Sequence, residues 1–167
     1  VFGVGEDGHV LGDVKVKISD DTNETSHINT KIGTWGTSYV DGNVFGGGRG
    51  FTGNALTAGS IGGNVILNIS GGTMSGSIYG GGRLASVGIG FTDPGALSYG
   101  QLIDDETGNN PKTYGHITMN ITGGTIGNAN AVGDGAEHSG NVFGGSMGRL
   151  TLKLRSEERR VGKECRS

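Results

Sequence analysis

The side chains that could do chemistry are four histidines, a short carboxylate run, three arginines that follow glycine clusters, and four aromatic rings in equivalent places. His9, His27, His116 and His138 lie in unlike contexts, so they support neither a histidine metal set nor a Ser-His-Asp triad. Asp104-Asp105-Glu106, with Asp93 upstream, fall in the long insertion from Leu84 to Tyr114. Clustered carboxylates can hold Ca²⁺, which takes about six to eight oxygen ligands. The EF-hand spacing and the Gly-Gly-x-Gly-x-Asp nonapeptide are both missing, and Gly133-Asp134-Gly135 is too short a match. The segment therefore reads as an acidic surface loop, and no metal or cofactor is expected.

Arg49, Arg83 and Arg149 could form a cationic row that contacts acidic sugars. The competing reading is that each is solvated or pairs with a nearby carboxylate, since exposed ion pairs are common and weak. Phe2, Phe45, Tyr79 and Phe143 also allow two readings. Facing outward they would stack on sugar rings; facing inward they form a structural aromatic row, which is the expectation, and burial decides between the two.

Two short boxes must position these groups. The first opens with Gly and a polar residue: Gly12-Asp-Val-Lys-Val-Lys-Ile-Ser19, Gly63-Asn-Val-Ile-Leu-Asn-Ile-Ser70 and Gly115-His-Ile-Thr-Met-Asn-Ile-Thr122, starting 51 and then 52 positions apart. Side chains of a strand alternate between its faces, so Val14, Val16, Ile18, Val65, Leu67, Ile69, Ile117, Met119 and Ile121 fall on one side. Lys15, Lys17, Asn68, Thr118 and Asn120 fall on the other, with Ile66 the apolar exception. In the second and third copies the run ends in Gly-Gly-Thr. Asn68-Ile-Ser70 and Asn120-Ile-Thr122 match a glycosylation sequon but sit inside the strand box, and read as structural.

The second box joins an aliphatic residue, an aromatic one and a glycine cluster: Asn43-Val-Phe-Gly-Gly-Gly-Arg49, Ser77-Ile-Tyr-Gly-Gly-Gly-Arg83, Asn141-Val-Phe-Gly-Gly-Ser146, and a truncated copy at Val1-Phe-Gly-Val-Gly5. From strand box to aromatic box the chain runs 30, 13 and 25 residues (Val14 to Val44, Val65 to Ile78, Ile117 to Val142). A lone short strand leaves its edge groups and its apolar face in water, and stacking equivalent strands relieves both. Fixed strands with variable polar insertions therefore predict a parallel β-solenoid with Gly-rich corners, where φ > 0 is needed, and variable loops. Cut at both ends, such an array exposes unpaired edges and is expected to aggregate or fray unless capped.

Composition agrees with a turn-dense β chain. With 37 Gly in 167 residues but only two Pro and no strict triplet period, collagen is excluded. Charged residues are 17% and the β-branched residues fall in short runs, which argues against disorder. The net charge is −3 and basic residues do not gather into a stripe before the C-terminus, so nucleic acid is not an expected partner. No run of about eighteen apolar residues exists to cross a bilayer as a helix.

The boxes resemble those of glycine-rich repeat proteins of gut-type bacteria and of other secreted or surface adhesin-like β-helices, in which units of the form GGTIGGNVYGGG recur. The likeness covers most of residues 1–154. It implies an extracellular or cell-surface site. The final stretch Arg155-Ser-Glu-Glu-Arg-Arg-Val-Gly-Lys-Glu-Cys165 instead resembles the conceptual translation of a common short-read sequencing adapter, whose bases AGATCGGAAGAGC give Arg-Ser-Glu-Glu. Residues 155–167 hold eight charged side chains and the single Cys. Setting them aside leaves eight basic against thirteen acidic residues, a net charge of −5, and no cysteine for a disulfide or a thiol nucleophile.

The expectation is thus a β-solenoid over 1–154 followed by a non-native tail over 155–167. It would be a structural or adhesive segment of a bacterial surface or secreted repeat protein, without catalysis, whose partners are host or microbial glycans or surface proteins. The alternative is a fragment of a β-helical polysaccharide lyase or hydrolase whose site lies outside this piece or in the 84–114 insertion. Such enzymes need carboxylates or a Lys/Arg base projecting together, whereas the repeat faces here are mainly Gly, Asn, Ser and Thr.

Overall fold

The computed structural model describes residues 1–6, 8–21, 29–33, 41–50, 58–88, 115–131 and 139–148. These form seven strands: β1 (Val14–Ile18), β2 (Lys31–Ile32), β3 (Val44–Phe45), β4 (Val65–Met74), β5 (Ile78–Tyr79), β6 (Ile117–Ile126) and β7 (Val142–Phe143). Among the described residues no helix is long and apolar enough to cross a membrane.

The three strand boxes pair side by side and in parallel. β4 lies in the middle, with Val65, Leu67 and Ile69 opposite Val14, Val16 and Ile18 on β1 and opposite Ile117, Met119 and Ile121 on β6. The alternating apolar positions therefore meet one another across the sheet, each row burying what the next would expose. β4 shows the consequence, since Val65, Leu67 and Ile69 are buried while Ile66 and Asn68 between them are only partly covered. The aromatic boxes form a second sheet, β3-β5-β7, also parallel, with Val44 opposite Ile78 and Ile78 opposite Val142.

These pairings correct the expected parallel β-solenoid. Among the described residues the strands pair in two small parallel sheets, one holding β1, β4, β2 and β6 and the other holding β3, β5 and β7, with isolated bridges such as Val10–Ile61 outside them, and these residues do not close into coils. β4 takes two separate partners along one edge, β1 at Val65–Ile69 and β2 at Thr73–Met74. The boxes carry a local pairing signal, but connections of 30, 13 and 25 residues between them do not specify one repeated route from sheet to sheet, which a regular coil requires.

Two further details differ from the sequence reading. β4 and β6 do not stop at Gly-Gly-Thr but run through it to Met74 and Ile126, with register shifts around Ser70. Gly72 makes this bend at φ +89°, a left-handed backbone that only glycine adopts without strain. The glycine clusters of the aromatic boxes, by contrast, do not have positive φ. Gly46 is required by close approach: a Cβ there would overlap the Gly80 carbonyl oxygen and lie 2.6 Å from Val65 Cγ1.

The core sits where the two sheets face each other. Val44 and Ile78 of the second sheet pack with Ile18, Leu67, Ile69 and Met74 of the first, and Val16, Ile32, Met119 and Ile126 flank them. A second cluster, Val14, Ile61 and Val65, gathers Val4, Val10, Val87 and Ile117.

Candidate functional site

The parallel pairing of the aromatic boxes brings Phe2, Phe45, Tyr79 and Phe143 into one column. Adjacent ring centroids are 4.8 Å apart at every step, with interplanar angles of 5°, 9° and 15°. That spacing matches the roughly 4.7–4.9 Å between neighbouring strands, so the rings stack because their backbones are paired in register. Phe45 and Tyr79 are buried, 1% and 5% exposed, whereas the end rings, Phe2 at 38% and Phe143 at 45%, reach solvent. A row offering four open faces to sugar rings is therefore not formed. Burial also pushes the Tyr79 phenol above its ordinary pKa, because the charged phenolate is the form that desolvation disfavours.

Beyond the glycine cluster the chains pair once more, Glu6 with Arg49, Arg49 with Arg83, and Arg83 with Met147. Arg49 and Arg83 are thus neighbours, but the third copy offers Met147 at that place, and Arg149 lies outside the described residues. At the first end Arg49 Nη1 donates to Glu6 Oε1 at 2.5 Å. The row is a carboxylate, two guanidiniums and a thioether, not an unbroken cationic strip. Both partners of the ion pair are well exposed, so the contact contributes at most about 1 kcal/mol.

His9 and His116 are described, and His27 and His138 are not. Among the described residues no three His, Cys, Asp or Glu side chains converge. Asp93, the 104–106 carboxylates and residues 133–135 fall outside them. A shallow groove beside the end of β6 is lined by Thr125, Ile126, Asn128 and Ser139, among others. Its Ser139 hydroxyl is already engaged, accepting from the Asn128 N–H at 2.7 Å and donating to the Ser75 carbonyl at 2.8 Å.

Sequence reasoning missed a set of polar ladders. The residue opening each strand box passes a hydrogen bond along: Asp13 Oδ1 accepts from the Asn64 N–H at 2.8 Å, and Asn64 Oδ1 accepts from the His116 N–H at 2.9 Å. At the head of the second sheet Asn43 Oδ1 accepts from the Ser77 N–H at 2.8 Å, and Ser77 Oγ accepts from the Asn141 N–H at 3.2 Å. On the outer face Asn120 Nδ2 donates to Asn68 Oδ1 at 2.8 Å, so the two sequon asparagines are bonded to each other. The signal was present as the recurring polar residue before each strand, but its partner lies 34 to 64 residues away.

No family model, curated protein or solved structure matches the chain. The site must then be judged from its own geometry, and in that geometry the repeated polar groups bond to the next copy of the repeat. Asn43 tests this, because it is 2% exposed and its amide oxygen satisfies a buried N–H. Asn43→Ala is expected to lower the unfolding free energy by about 1–3 kcal/mol, the cost of leaving that donor unpaired, measured by urea denaturation.

Proposed function

We propose that residues 1–154 are a structural or adhesive segment of a bacterial cell-surface or secreted repeat protein and perform no catalysis. The observation that carries this reading is that repeated side chains at the described positions are spent on the next repeat: aliphatic rows in the core, stacked rings, and asparagine and serine ladders. A surface built that way supports length and mechanical continuity. Its partners would be host or microbial glycans, or surface proteins, met by exposed polar faces. Residues 155–167 belong in this reading to a sequencing adapter, and an independent assembly of the gene that continues the same charged tail into further repeats would reject that.

A glycan array combined with a polysaccharide degradation panel tests the function. Binding to one or more glycans with no release of reducing ends or unsaturated products is the expected result. Turnover of any polysaccharide would overturn the non-catalytic reading.

A further inference from the structure

The outward face of the first sheet gathers three lysines, one of them remote from the other two in the chain. β1 and β2 pair with the same edge of β4, which sets Lys15 opposite Ile66, Lys17 opposite Asn68 and Lys31 opposite Thr73. Ile18, Ile32 and Met74 turn into the core, so by alternation the lysines and their partners turn the other way. That direction is set by the core beneath each strand and not by what flanks the sheet. On the far side of β4 the register adds Thr118, Asn120 and Thr125. The face is thus three ammonium groups, one aliphatic side chain and five hydroxyls or amides. It holds no carboxylate, in a chain whose residues 1–154 carry a net charge of −5. Asp13 and Asp20 border it, and both are tied to the backbone: Asp13 accepts from the Asn64 N–H at 2.8 Å and Asp20 from the Thr30 N–H at 2.9 Å.

We propose that this face binds an acidic polysaccharide, one that carries carboxylate or sulfate groups on its sugar rings. The inference rests on the glycan reading above and narrows it to a place and a ligand class. Lys15 and Lys17 stand two residues apart on one strand, roughly 6.6 Å, where like charges repel and a bound anion relieves the repulsion. Beside them Asn120 Nδ2 donates to Asn68 Oδ1, so these two amides are already held in place and a ligand that meets them has less ordering to overcome. Hydroxyls and amides suit the hydroxyl groups of a sugar, and the lysines suit its charge. A neutral glycan would call for an aromatic ring against its apolar face. None lies here, because Phe45 and Tyr79 are buried in the column of the second sheet. The same lack of rings disfavours single-stranded nucleic acid, which binds through base stacking as well as charge.

Biolayer interferometry of the full chain against polygalacturonate, its neutral methyl ester, chondroitin sulfate and single-stranded DNA tests this. Binding to at least one of the two acidic polysaccharides is expected, weakening as salt rises and not matched by the ester. The double change Lys15→Gln and Lys17→Gln is expected to weaken that binding about tenfold, and Lys31→Gln about two- to fivefold, on the scale of exposed ion pairs. Lys15→Arg with Lys17→Arg keeps the charge and is expected to bind like the wild type, which separates a lost contact from a lost fold. Undiminished affinity of the double glutamine variant overturns the proposal, as does an arginine variant that binds no better than the glutamine one. So does an ester bound as well as its parent, DNA bound more tightly than either polysaccharide, or no binding to either acidic polysaccharide. Should only neutral glycans bind, this face is wrong while the non-catalytic glycan reading stands. Unsaturated products released from polygalacturonate would sink that reading and leave the lysine dependence intact.

Discussion

Leu67→Ala is expected to lower the unfolding free energy by about 2–5 kcal/mol, seen as a fall in the urea midpoint. Leu67 is fully buried on β4, between Val16 and Met119 of the neighbouring strands, and packs among Ile18, Val44, Ile69, Met74 and Ile78 of both sheets. Truncation removes transfer free energy and leaves a cavity that the neighbours cannot fill, because each is itself held in register by strand pairing. Small domains have about 5–15 kcal/mol in total, so the loss is a large share of what holds the fold. Met119→Ala is the matched control. Met119 occupies the same position on β6, is only partly buried, and should cost clearly less. Equal effects at the two sites would contradict the central place of β4.

The second large effect concerns glycine, and its sign should change along one equivalent set of positions. Gly46→Ala is expected to destabilise by about 1–3 kcal/mol, since the added methyl group would meet the Gly80 carbonyl oxygen, a backbone atom, and Cγ1 of the fully buried Val65. Gly144→Ala introduces the same methyl group into open space at a backbone angle that alanine tolerates. That change should be neutral or stabilise by up to about 1 kcal/mol, because alanine restricts the unfolded chain. Thermal or urea denaturation of the two variants side by side reads the difference. A Gly46→Ala protein as stable as Gly144→Ala would mean that the sheet of β3, β5 and β7 is not packed as closely as described.

The contrast between Gly46 and Gly144 also shows why the glycine clusters were misread. A sequence displays glycine but not its reason, and positive φ is the commoner reason near turns. Here Gly72 uses it, while Gly46 makes room for a carbonyl and a valine that lie 34 and 19 positions away in the chain. The arginines were obscured in a similar way. Arg149 follows Gly148 and looks equivalent to Arg49, yet the paired position is Met147, because Ser146 and Met147 occupy the places of Gly82 and Arg83. Glu6 stood 43 residues from Arg49, with nothing in the intervening sequence to mark them as an ion pair.

What the sequence determined unaided is the strands and their alignment. Period-two alternation is a property of consecutive residues, and three boxes with the same alternation have one register that buries all their aliphatic positions together, so β1, β4 and β6 could be set side by side before any coordinates. The aromatic column follows from the same logic applied to Phe2, Phe45, Tyr79 and Phe143. The tertiary structure decided how far the strands extend, which rings are covered, and that among the described residues the strands pair in two small sheets that do not close into a solenoid. Those outcomes depend on the path between boxes and on atoms brought near by that path, and connections of 30, 13 and 25 residues leave the path open in a way that local alternation cannot resolve.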